Sequence, residues 1–123
     1  VLTGEDLIAG RKFDDAIVHD ANFCIDIHNP DGAGQSETEG RPHRAQNYDI
    51  PYRSLCPKGL SNLLTAGRCI SGDHRAHASY RVMRICMAVG NAAGLASVMA
   101  SKTGDTRNID LQALIKRLRT KED

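Results

Sequence analysis

Two arginines opening a helical run, a glycine–arginine pair closing an apolar one, and two histidines between them are the residues best suited to chemistry. Arg81 and Arg84 begin the stretch RVMRICMAVGNAAGLAS, whose small and apolar residues recur at helical spacing. A cation in the first turn of a helix opposes the positive end of its dipole unless an anion joins it. Free backbone N–H groups and two guanidinium groups together make an anion site suited to a phosphate or a carboxylate. The alternative is that both arginines extend into water. Gly67-Arg68 follows Asn62-Leu63-Leu64-Thr65-Ala66, and a glycine there lets the backbone approach a ligand or adopt torsions that a Cβ forbids. Histidine suits proton transfer near neutral pH, which makes His77 and, further upstream, His28 candidate acids or bases; a surface role is the alternative for each. A zinc site from His74, His77, Cys69 and Cys86 lacks the tight ligand pairs of structural zinc, so no metal is expected.

Composition narrows the function classes. The chain has 123 residues, 41% hydrophobic and 25% charged, which suits one soluble core. Sixteen basic residues against 15 acidic ones leave a net charge of +1, with no excess to hold nucleic acid or an anionic membrane. An aromatic content of 4% without Trp also argues against a base-stacking platform. No run reads as the roughly 20 apolar residues of a membrane span. Cys24, Cys56, Cys69 and Cys86 form no CxxC pair, so they are expected to be reduced, buried small hydrophobes in a cytoplasmic protein. The chain starts at Val1 without a signal-peptide pattern and is expected to be part of something longer.

The elements that must position these residues follow from pattern. Thr3, with Glu5 and Asp6 behind it, predicts a capped helix through Ala9, stopped at Gly10. Phe13 to Ile17 reads as a second helical turn or an edge, and the alternation from Ala21 to His28 as a strand. Asn29 to Gly34 is turn chemistry, and a Pro-Asp-Gly turn explains Gly32-x-Gly34 without a phosphate cradle. The polar stretch through Asn47 is the best candidate for a boundary. Pro51 and Pro57 make Asp49 to Leu55 extended, and Asn62 to Gly67 reads as a short strand buried on both faces. Cys69 to Ser79 reads as a polar crossing. In the long helix Ala88, Ala92, Ala96 and Ala100 share a face, and Gly90 and Gly94 imply close packing against another backbone. Leu111, Leu114, Ile115 and Leu118 predict an amphipathic helix between Asn108 and Arg119.

Taken together, Gly67-Arg68, Ser71, Arg81-Val82-Met83 and Gly90-x-Ala92-Ala93-Gly94 resemble the closing segment of FAD-dependent oxidoreductases with the glutathione-reductase-type FAD fold. The match is close from Tyr48 to Ala100. Leu2 to Asp6, Gly10 with Phe13, and Asp26-Ile27-His28 are similar to the substrate-facing domain of that family. The resemblance implies an α/β protein, α+β as an isolated fragment, with short strands packed on a long small-residue helix. Residues 1–46 would belong to the substrate-facing domain and its loop, and 47–123 to the closing segment of the FAD-binding domain. It implies hydride transfer between a small-molecule substrate and FAD, with Gly67, Arg68 and Ser71 along the cofactor. Arg81, Met83, Arg84, Ile85, Cys86 and Met87, at the helix N-terminus, would face the isoalloxazine, and His77 or His28 would act beside it. Two residues depart from the family pattern: Arg68 stands where many relatives carry Asp, and Arg84 where proline is common. The GxGxxG fingerprint of a dinucleotide-binding unit is also missing, which implies an absent N-terminal portion or a companion chain, self-association, and an isolated chain without activity. The competing expectation is a stand-alone, non-catalytic domain that binds an anionic ligand or partner.

Overall fold

In the computed structural model, which describes residues 1–33 and 44–120, the chain forms four helices and a two-stranded antiparallel sheet, an α+β arrangement. Gly34 of the Gly32-x-Gly34 pair, with Gly40 and Pro42 of the polar stretch, lies outside the described residues.

Helix α1 (Gly4–Ile8) begins where the sequence predicts. The Thr3 hydroxyl accepts from Asp6 N at 3.2 Å, and the Asp6 carboxylate accepts from Thr3 N at 2.9 Å, a reciprocal capping box. Gly10 ends the helix with φ of 62°.

Strand β1 (Ala16–Ala21) pairs with β2 (Tyr48–Pro51), setting Ala16 opposite Pro51, Val18 opposite Ile50 and Ala21 opposite Tyr48. Each step carries one extra residue on β1, so the strand bulges. Asp20 sits at φ 52° in the second bulge and donates its N–H to Asp49. Of the two readings of Phe13 to Ile17, the edge holds at Ala16 and Ile17 and the helical turn does not, and the strand expected over Ala21 to His28 lies earlier. The physical reason is partnering. Pairing Ala16–Ala21 with β2 buries Ile17, Tyr48 and Ile50. Within residues 22–28, Phe23 and Asp26 bond to a helix, with Asp26 N donating to Ala78 O and the Ser79 hydroxyl donating to Phe23 O.

Extended structure ends at Pro51 rather than Leu55. Tyr52–Leu55 closes into a 3₁₀ turn, because the Ser54 hydroxyl donates to Pro51 O at 2.7 Å and Cys56 N donates to Arg53 O. Asn62 to Gly67 is likewise not a strand. Thr65 bonds to Leu55 O, but no strand lies beside the segment among the described residues, and a strand without a ladder is not stable. Leu63 is left 47% exposed.

Between Cys69 and Ser79, where a crossing is expected, stands helix α2 (His74–Tyr80). Asp73 caps it by accepting from Ala76 N at 2.7 Å, and the same carboxylate accepts from Gly4 N at 3.0 Å, tying α2 to the start of α1. Helix α3 (Met83–Ala100) buries Ile85, Val89, Ala92, Ala93, Ala96 and Ala100 and packs against β1 and against α4 (Leu111–Arg119), which Asp110 caps. By length and composition alone α3 is apolar enough to cross a membrane, contrary to the sequence expectation. Its buried face, however, is part of a core that runs from Leu2 to Leu114.

All three tyrosines are buried and hydrogen-bonded. Tyr52 donates to Thr106 O at 2.6 Å and Tyr80 to Ile70 O at 3.1 Å. Tyr48 lies 2.9 Å from the Ser79 hydroxyl, and burial pushes its phenol up to about 12. Buried hydroxyls with partners fix one arrangement of the core and avoid the cost of an unmet donor.

Candidate functional site

The first of two adjoining clusters is built on a glycine. Gly67 has φ of 62°, a conformation that a Cβ makes costly, and starts the short 3₁₀ turn Gly67–Cys69. The turn packs against the first turns of α3, and the nearest atom to a Cβ at Gly67 would be Cys86 Cβ, at 3.8 Å. Val82 precedes α3 and offers no side-chain acceptor, so the first-turn N–H groups carry no side-chain cap. Met83 and Met87 project beside them at 77% and 73% exposure.

The sequence-derived cofactor residues divide by direction. Gly67, Arg68, Met83, Cys86 and Met87 gather around this turn. Ile85 is buried and faces the core, leaving only its backbone to the site. Cys86 is half-buried, its thiol 3.5 Å from Tyr80 O. Ser71 is exposed, with its backbone bonded to Ser54 and Leu2. The two arginines lean away from the helix end: Arg84 donates to Asn22 O, and Arg81 pairs with Asp26 at 3.2 Å.

Arg81 joins the second cluster to the first. Its carbonyl accepts from Arg68 Nε at 3.1 Å, while its guanidinium Nη2 lies 3.1 Å from Asp26 O and 3.4 Å from His28 Nε2. His28 Nε2 is in turn 3.3 Å from Asp26 Oδ2. Opposite stand His74 and His77, one helical turn apart on α2, with the His77 ring edge-on to Tyr80 at 5.4 Å between centroids. A cleft of about 600 Å³ separates the two walls. Such an arrangement can orient an imidazole through a carboxylate, supply proton donors and acceptors, and hold an anion.

Asp26 is the site residue that sequence reasoning passed over. Its signal is the Asp-x-His spacing, which sets both side chains on one side of an extended segment. His74 lines the cleft beside His77, and among the described residues no three His, Cys, Asp or Glu side chains come together to hold a metal. All four cysteines are free thiols. Burial raises Cys56 above its ordinary range, yet none of the four is fully buried as expected: Cys24, Cys56 and Cys86 are half-buried and Cys69 is exposed.

Comparison with known proteins adds the family. A family model described as FAD dependent oxidoreductase matches residues 1–118. No curated protein and no solved structure matches the chain. The family match takes in the Gly67 turn, the α3 N-terminus and the histidine cleft alike, and this chain belongs to the FAD-dependent oxidoreductase family.

Proposed function

We propose that this chain forms the flavin-facing and substrate-facing wall of an enzyme that transfers a hydride between a small-molecule substrate and FAD. The observation that carries the reading is the seat made by the Gly67–Cys69 turn against the first turns of α3. There a positive-φ glycine bares its backbone, the first-turn N–H groups lack a side-chain cap, and two methionines present exposed apolar surface. Those features suit a flat heteroaromatic ring with one polar edge. Gly67 allows close approach, the N–H groups face the edge where negative charge gathers, and the thioethers of Met83 and Met87 cover apolar ring surface. Bound FAD would supply the hydride acceptor or donor.

In this reading Gly67, Arg68 and Ser71 run along the ribityl and pyrophosphate portion, and Ile85 contributes its N–H alone. Arg81 is a positioning residue that holds Arg68 through its carbonyl and Asp26 through its guanidinium. His28, oriented by Asp26, and His77 take or return the substrate proton. The sequence has no GxGxxG fingerprint, so the adenosine half of FAD falls to another part of the protein or to a companion chain, and the isolated chain binds FAD weakly and is inactive. A neighbour of that kind would also cover Met83, Met87 and Val98, which otherwise favour self-association. Four free cysteines fit a reducing, cytoplasmic setting.

An FAD titration followed by backbone amide shifts tests the seat. Saturable shifts at Gly67, Arg68 and Met83 to Met87 are expected. Shifts confined to other residues, or none up to the solubility of FAD, would overturn it.

A further inference from the structure

We infer that the cleft between residues 26–30 and α2 is a binding site for a small organic carboxylate. Among the described residues its polar wall holds His28, His74, His77 and Arg81 against one acid, Asp26, which is already paired with Arg81 and His28. The balance of donors therefore favours an anion. Every contact that the Arg81 side chain makes to Asp26 and His28 uses Nη2, so the other N–H groups of the guanidinium fork remain for a second carboxylate. His74 and His77 sit three residues apart and line the same cleft. The rest of the lining is apolar, from Ile27, Pro30 and Ala78. A volume of about 600 Å³ suits a metabolite-sized molecule.

Carboxylate is favoured over phosphate for two reasons visible in the cleft. A doubly charged phosphate would lie against the Asp26 carboxylate, whereas a single carboxylate meets less repulsion. The apolar lining also gains nothing from inorganic phosphate, but covers the body of an organic acid. As a substrate site the cleft rests on the flavin reading above; as a carboxylate site it stands without it.

The test is a titration of the full chain, without flavin, with 3-phenylpropionate, its uncharged amide and inorganic phosphate, followed by the imidazole signals of the histidines. The acid is expected to move His28, His74 and His77 together and saturably, and to bind at least about tenfold more tightly than the amide. Arg81→Met should weaken the acid by about tenfold or more and leave the amide unchanged. Because Arg81 also holds Asp26, His74→Asn serves as a second variant on an exposed side chain, with a loss of about threefold expected. Equal affinity for acid and amide, tighter binding of phosphate than of the acid, or shifts that never saturate would each overturn the proposal. Acid binding without FAD-dependent shifts at Gly67 and Met83 to Met87 would sink the flavin reading alone; FAD-dependent shifts without acid binding would sink this one alone.

Discussion

The two faces of α3 are made from similar residues and meet opposite surroundings. One face, with Ile85, Val89, Ala92, Ala96 and Ala100, is packed into the core, and its alanines let β1 and α4 come close. The other carries Met83, Met87, Gly90, Gly94 and Val98, all exposed. A Cβ added to Gly90 or Gly94 would meet no atom within 4 Å, so the close packing that the sequence implied for these glycines is not made within the described residues. The lesson is that smallness has two uses. The alanines serve this chain's own core, while the glycines, costly in a helix interior, meet nothing among the described residues and suit a face kept thin for a neighbour.

The largest effect should come from the packed face. Ile85→Ala is expected to cost about 2–5 kcal/mol in a denaturant melt, from lost burial and the cavity left behind. A loss below 1 kcal/mol would mean that the face is not packed as described. Ala96→Leu, which forces extra volume into the same interface, should cost about 1–3 kcal/mol. Away from α3, the α1 capping box offers a pH-dependent control for both faces. Burial pushes the Asp6 carboxyl up, but hydrogen bonds from Arg11 and Thr3 outweigh it and hold the group below its ordinary 3.8. Its contribution is therefore complete above the unfolded value and fades as pH falls through the lower folded value. Thr3→Ala should flatten that acid limb and cost about 1 kcal/mol at neutral pH.

The open face predicts smaller changes of opposite sign. Gly94→Ala should raise stability by about 0.5–1 kcal/mol, since the helix gains propensity and the methyl meets open space. A loss of stability instead would show that another surface already covers this stripe. Met87→Lys should leave the melt within about 0.5 kcal/mol and shift light scattering toward the monomer. An unchanged assembly state would break the contrast between the faces as drawn.

How far the sequence could be read depended on whether the signal was local. The Thr3 cap with its first-turn acids, the stop at Gly10, the special role of a glycine at 67 and a last helix capped at Asn108 or Asp110 were all legible, because each rests on residues a few positions apart; the structure adds the reciprocal Thr3–Asp6 box, the positive φ at Gly67 and the choice of Asp110. The strand expected at Asn62 to Gly67 failed because hydrophobicity marks a segment that can be buried and does not supply a ladder partner. Helix α2 was missed because its cap, Asp73, heads a polar run, and its buried residues Ala76, Ala78, Ser79 and Tyr80 give only a weak stripe. At the candidate site, Gly67, Arg81 and the histidines could be named from residue type. Their grouping could not, since Arg81 meets Asp26 across 55 residues and Arg84 meets Asn22 across 62.

By itself the sequence determined which residues can carry charge, protons and close backbone approach, and through its motifs it pointed to the flavoprotein family that the match over residues 1–118 supports. Only the tertiary structure decided that Arg81 reaches Asp26 and His28, that both arginines at the head of α3 are held by residues 22–28, and that one face of α3 is left open. Local chemistry is written in neighbouring residues and capped by them. Charge pairing, burial and exposure are set by what the folded chain brings from far away.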